Sequence, residues 1–346
     1  MKKDPNTIQI WGIIILLVLF FLPLVARPYI ISLLTEMIIF SLYAVSYNLL
    51  LGFGGLLSFG HGMFLGLGAF TAGAMLQRIP GLPFFGAVLF GTLMATLIGL
   101  GVGCLLLRHK GTYYALLTLA FNALFYAVAI KWHAVTGGDD GLPVKRPNLH
   151  LGFVQLPMSD VTVFYYVTLV VIGCAVLFCW YFTKTAMGKT VLLVRENEER
   201  MQFIGYNPAV SRMILFTLTA FFAGLAGSFY ALFFKFVGVD AIGIDMTTTV
   251  LLMTFIGGTK NFFGPVLGAG FYIYFQNFLS NLTDRWPLFM GILFVLMVLF
   301  APQGLSGLIR SLVDLFQKTG NGKATRKKAH PFGESGNGNS SGEGHL

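Results

Sequence analysis

Charge is what this sequence has least of: Asp, Glu, Lys and Arg make up 11% of its 346 residues. Soluble domains carry about 25%, because their surfaces must be wetted. So few charges cannot cover a water-facing globule of this length, which excludes an ordinary soluble enzyme. Cysteine is equally sparse. Cys104, Cys174 and Cys179 lie inside apolar runs without metal-ligand spacing, so they read as small buried residues, neither a disulfide framework nor a metal site. The six His residues form no HxxxH or HExxH pair, and no GxSxG elbow is present. Asp139 and Asp140 are neighbours in a loop, not a pair opposed across a cleft. No catalytic set emerges. Gly188–Lys189–Thr190 resembles the end of a phosphate-binding loop, but Thr183 stands where that loop requires Gly, and an apolar helix precedes it in place of a strand. The chain is therefore expected to hold no nucleotide, cofactor or metal of its own.

What is abundant is apolar. Hydrophobic residues reach 56%, with 35 Phe and 42 Gly, and mean hydropathy is +0.77. A helix crossing roughly 30 Å of hydrocarbon needs about 20 mostly apolar residues. Residues 10–26, 29–51, 84–107, 113–131, 161–182, 213–234 and 262–282 qualify, and 287–301 is shorter but strongly apolar. Two Gly-rich stretches, 58–77 and 247–258, are either spans or broken, tilted helices. Residues 10–26 follow Lys2 and Lys3 as a signal peptide would, but no small-x-small cleavage site follows, so a retained first helix is expected.

The positive charges fix an orientation. With residues 1–9 inside, four crossings leave Arg108, His109 and Lys110 inside, and the fifth places 132–160 outside. The sixth returns Lys184, Lys189, Arg195 and Arg200 to the cytoplasm, and the seventh ends outside near Val239. Three more are required to leave Arg310, Lys318, Lys323 and Arg326 inside. Ten crossings satisfy every cluster, so both Gly-rich stretches are counted. The net charge of +9 then reads as topology signal, with no nucleic-acid partner. Trp11, Trp132, Trp180 and Trp286 each fall at a span end, where an amphipathic ring favours the headgroup layer. The expected fold is an all-α integral membrane protein, a polytopic bundle of about ten transmembrane helices. It occupies residues 10–309 and is followed by a basic tail, 310–346, too polar and Gly-rich to fold.

Segment 184–212 is too long for a tight turn and too polar to span. Val191–Val194 precede the charged run Arg195–Glu196–Asn197–Glu198–Glu199–Arg200, and Gly205 is placed to end a short helix. Such a helix on the inner face can dock into a groove on a soluble subunit, its charges setting register and partner choice. A plain solvated loop fits the same pattern.

Here the sequence resembles a known family. The segment TAMGKTVLLVRENEERMQFIGYN is similar to the cytoplasmic loop of permeases of high-affinity branched-chain amino acid ABC importers, of the LivM type. Order and spacing support it along nearly the whole chain: LLSFGHGMFLGLGAFTAGAML, GTYYALLTLAF, TGGDDGL, FFAGLAGSFYA and LMTFIGGTKNFFGPVLGAGF. The resemblance implies that this loop is the coupling element gripped by ATPase subunits, with Gly188, Lys189, Arg195, Glu196, Asn197, Glu198 and Gly205 carrying it. Lys189 stands where Arg is more usual, and the two are not interchangeable at a bidentate contact. It further implies a homologous second permease subunit, two ABC ATPase subunits and a periplasmic substrate-binding protein. Leu, Ile and Val are the implied cargo, with urea or short amides as the runner-up.

Several positions inside the spans are candidates for the pathway or for helix packing. Gly62–Gly66 and Gly264–Gly268 have the GxxxG spacing that lets helices approach closely, and Ser58 and His61 sit beside the first pair. Gly257 and Gly258 precede the second. The two glycine-rich stretches fit discontinuous helices near a midplane site. Glu36 is the one acidic residue well inside a span, at about 2.5–3.5 kcal/mol on insertion scales. It must face protein or water, or be protonated. Asn48 and Asn122 are polar positions of the same kind. An ion-coupled secondary transporter would keep several such titratable groups; this sequence keeps one.

Overall fold

Backbone polar groups find no water in lipid, so apolar stretches of this length can satisfy themselves only as helices. The computed structural model of the protein describes residues 20–308, apart from 25, 107, 110, 152–153 and 302. Most of the expected first span and all of the basic tail lie outside the described residues.

Nine of the ten expected stretches coincide with helices. These are α1 (Pro28–Asn48), α2 (His61–Arg78), α3 (Phe84–Leu106), α4 (Thr112–Lys131) and α5 (Val161–Lys184). After two short helices of the 184–212 segment, α6 (Ala186–Glu196) and α7 (Glu198–Phe203), come α8 (Pro208–Phe234), α9 (Ile244–Gly257), α10 (Gly264–Ser280) and α11 (Trp286–Phe300). Pro28, Pro208, Pro265 and Pro287 all stand in first turns, where the missing N–H is no loss.

Among the described residues, five helices are long and apolar enough to cross a membrane: α1 with its π-helical continuation Leu49–Phe53, α3, α4, α5 and α8. The glycine-rich stretches differ from that pattern. Helix α2 begins only at His61, leaving 54–60 non-helical. Helix α9 has 14 residues and rises about 21 Å, less than the hydrocarbon thickness.

Helices α2, α3 and α8 pack mutually, α1 joins α5, α8 and α10, and α9 lies on α10. Glycine sets the closest of these approaches. A Cβ on Gly68 would stand 2.8 Å from the Gly224 Cα, and one on Gly227 2.7 Å from the Leu65 carbonyl carbon. Lipid offers no hydrophobic drive between helices, so intimate packing through small residues takes its place. The outward faces are apolar: Leu89, Leu97 and Leu105 on α3 and Val170 and Leu177 on α5 are exposed.

The segment 132–160 is tied down at its far end. Strand β1 (Leu142–Pro143) pairs antiparallel with β4 (Phe236–Val237), while β2 (Leu149–Leu151) pairs with β3 (Val154–Leu156). The Arg146 guanidinium donates to the carbonyls of Leu232 and, at 2.6 Å, Phe233. It lies 4.0 Å from the centre of the Phe164 ring. These carbonyls are the unpaired end of α8, which favours a cation there. Burial lowers the Arg146 pKa to about 10, which leaves the group charged at neutral pH.

Candidate functional site

Three side-chain caps divide the 184–212 segment into helices. Thr185 accepts from Gly188 N at 3.3 Å, Asn197 from Arg200 N at 2.9 Å, and Asn207 from Ala209 N at 3.0 Å. Each oxygen satisfies an N–H that a helix start leaves orphaned. Glu198 and Glu199 follow in the first turn of α7, where carboxylates suit the helix dipole. Gly205, at φ +92°, ends α7 in a left-handed residue. Its N–H reaches Gln202 O and that of Tyr206 reaches Met201 O, a Schellman-type stop.

The pair of helices has two faces. Val191, Val194 and Met201 are buried, and α6 packs on α5 and α8. Gly188 is pressed against the end of α5, where a Cβ would come 2.8 Å from Thr183 Cα. The other face carries exposed Lys189, Glu196 and Asn197 together with exposed Leu193, Phe203, Ile204 and Tyr206. Phe203 is 91% exposed. Glu198 is turned inward, ion-paired with Arg212 of α8.

Arg195 takes a different course from its neighbours. Its guanidinium donates to the carbonyl of Gly52, in the π-helical end of α1. The side chain passes over Gly55, where an added Cβ would meet Arg195 Cγ at 2.9 Å. It forms a wall common to two clefts, one of about 190 Å³ beside Gly54, Glu198 and Arg212, the other of about 460 Å³ beside Phe53, Glu196 and Lys260. Gly52 is itself confined: a Cβ there would stand 2.7 Å from Thr259 O and 2.9 Å from Asn48 Cγ. Asn48 is 1% exposed, and neither atom of its amide has a hydrogen-bond partner among the described residues. An unpaired buried polar group costs about 1–3 kcal/mol.

The remaining candidates fall into two groups. His61, fully buried, is stacked on Tyr43, with ring centroids 5.4 Å apart, and meets Tyr47 and Phe64 edge-on. Its Nε2 is 2.9 Å from Ser46 Oγ. Ser58 accepts from Gly60 N at 3.2 Å, and its carbonyl accepts from Tyr47 Oη at 3.0 Å. Gly62 N donates to Thr247 Oγ1 at 2.8 Å, and Asn122 Nδ2 to Ile242 O at 2.8 Å. Gly66 packs on Ala241 and Ile242. These residues bring α1, α2, α4 and the start of α9 together in one polar seam. Gly257, Gly258 and Gly264 form a second group, the tight turn between α9 and α10. A Cβ on Gly264 would stand 2.8 Å from Gly257 O, and one on Gly258 2.7 Å from Ser306 Oγ. The turn's next residue, Thr259, touches Gly52. Glu36 belongs to neither group: it is half-buried on α1, with no hydrogen bond or ion pair found among the described residues.

Sequence reasoning missed Tyr43, Tyr47, Gly52 and Gly55. Tyr43 and Tyr47 are spaced i, i+4 and so share one face of α1, a signal hidden by how often aromatics simply face lipid.

With this geometry in view, comparison with known proteins is decisive at the level of family. Residues 29–301 match the family described as "Branched-chain amino acid transport system / permease component". The chain belongs to this family. The permease is 26% identical over 316 residues to the high-affinity branched-chain amino acid transport permease LivM of Escherichia coli K12, covering 84% of this chain and 74% of that one. To the Salmonella typhimurium LivM it is 26% identical over 324 residues, covering 86% and 76%. The autoinducer 2 import permease LsrC of Escherichia coli is 24% identical over 204 residues, 57% of the permease and 56% of LsrC. No solved structure matches. The relatives are transport components and not enzymes, and the permease has the apolar helices of a multi-pass membrane protein.

Proposed function

We propose that this permease is the membrane-spanning subunit of an ATP-driven importer for branched-chain amino acids, embedded in the inner membrane. Ten crossings, with both termini cytoplasmic, form half of the pathway, and a homologous second permease completes it. Two separate ATPase subunits grip segment 184–212 from the cytoplasm, and a periplasmic binding protein delivers cargo to the opposite face, near 132–160. The observation that carries this reading is the outward face of α6 and α7. Leu193, Phe203 and Ile204 stand exposed beside Lys189, Glu196 and Arg200, in a segment too polar to lie in lipid. Aromatic and aliphatic anchors rimmed by charge are what a docking groove on a soluble partner receives. The substrate assignment follows the names of the LivM relatives; the LsrC relative shows that related permeases serve other cargo, with urea and amides the alternative held here.

The test is purification in mild detergent, identification of co-purifying subunits, and reconstitution. Leucine uptake into vesicles should require ATP and survive collapse of ion gradients. Uptake that dies with the gradient and ignores ATP would favour an ion-coupled transporter centred on Glu36. Ligands bound to the co-purified binding protein settle the cargo.

A further inference from the structure

Within the family reading, the charged residues of segment 184–212 form one coupling unit. The structure separates them. Lys189, Arg195 and Glu196 are all exposed, but the Arg195 head is bonded to a backbone carbonyl of the membrane bundle. Four features meet at that carbonyl. Residues Leu49–Phe53 are wound as a π-helix, a wider turn that appears mostly as short interruptions at functional sites. Gly52, in that turn, has no room for a side chain against Asn48 and Thr259. Gly55, at φ +68°, opens the path along which the Arg195 stem passes. Asn48, directly before the π-turn, keeps a buried amide without a partner among the described residues.

We propose that Arg195 is a positioning residue that acts inside the permease, not on the ATPase: it ties the docked α6 to the π-turn of α1, so that displacement of α6 moves Gly52 and with it Asn48 and the Gly257–Gly264 turn. This rests on the reading of 184–212 as the docking segment. In this proposal the π-turn, bonded by Arg195 as well as by the N–H groups of Gly54, Gly55 and Leu56, is the element whose winding changes, and two-state elements of this kind turn small shifts into larger ones. The unsatisfied Asn48 amide disfavours the present winding relative to one in which it bonds, so the element is poised instead of locked. Thr259 beside Gly52 carries the displacement to α9 and α10, and Asn48, on α1, carries it toward the seam around His61.

The experiment uses the whole transporter, isolated through its ATPase subunits and reconstituted in liposomes. Arg195→Ala should retain the ATPase subunits in wild-type proportion while the leucine moved per ATP hydrolysed falls about tenfold, a loss in the range of ordinary coupling energies. Arg195→Lys, which still donates to one carbonyl, should recover most of that loss, and Gly52→Ala should reproduce it. Asn48→Leu, of similar size and without the amide, should raise the thermal midpoint of the complex and lower uptake, opposite signs that loss of a merely structural residue does not give. Loss of the ATPase subunits from Arg195→Ala would make Arg195 an outward docking contact and overturn the proposal. So would unchanged leucine-to-ATP stoichiometry in Arg195→Ala. Phe203→Asp separates the underlying reading: if that variant keeps its ATPase subunits and its uptake, segment 184–212 is not the docking element and both readings fall.

Discussion

Glu198 and Arg212 form an ion pair that fastens the start of α7 to the first turns of α8, with side chains only 19% and 14% exposed. The pair therefore fixes where the 184–212 segment sits relative to the membrane bundle. Glu198 differs in this from Glu196, two residues away and exposed.

A double-mutant cycle on this pair should show coupling. Glu198→Ala and Arg212→Ala should each destabilise the purified complex. Together they should cost less than their sum, by about 1 kcal/mol, as expected for contacting residues. Thermal unfolding of the four variants provides the measurement, and strict additivity would remove the pair from any positioning role.

Asn197 should be replaceable by Asp or Ser but not by Ala. Its oxygen caps α7, and loss of such a cap costs about 1 kcal/mol of local stability. The readout is cleavage of the 184–212 segment by added protease in inside-out vesicles. Faster cleavage of Asn197→Ala, with Asn197→Asp near wild type, is the expected pattern.

Gly227→Ala should be more damaging than its size implies. The new methyl meets the Leu65 backbone, which cannot rotate away, and overpacking of this kind costs about 1–3 kcal/mol. Gly173→Ala is the control, since nothing lies within 4 Å of the corresponding position. Folded yield in detergent should separate the two.

His61→Phe should lower stability without altering recognition. The ring would keep its stacking on Tyr43 but lose Ser46, a change of about 1 kcal/mol. Uptake kinetics should show a reduced maximal rate in proportion to folded protein, and an unaltered KM. A shifted KM would place His61 on the pathway.

Much of this was readable from residue order, for reasons that can be named. Scarce charge and long apolar runs dictate helices in lipid. Nine helices duly fall on the expected stretches, because burial of backbone groups leaves no alternative in hydrocarbon. Gly205 as a helix stop was legible too, since its reason is local. Only the folded chain decided that Arg195, exposed like Glu196, bonds the Gly52 carbonyl, that Gly52 lies against Thr259 far along the chain, and that the buried Asn48 amide has no partner among the described residues. Such facts depend on which helices become neighbours, and an apolar code that is nearly uniform around each helix does not say which face meets which. In lipid that choice falls to close packing among glycines and to a few hydrogen bonds, and both exist only once the helices have met.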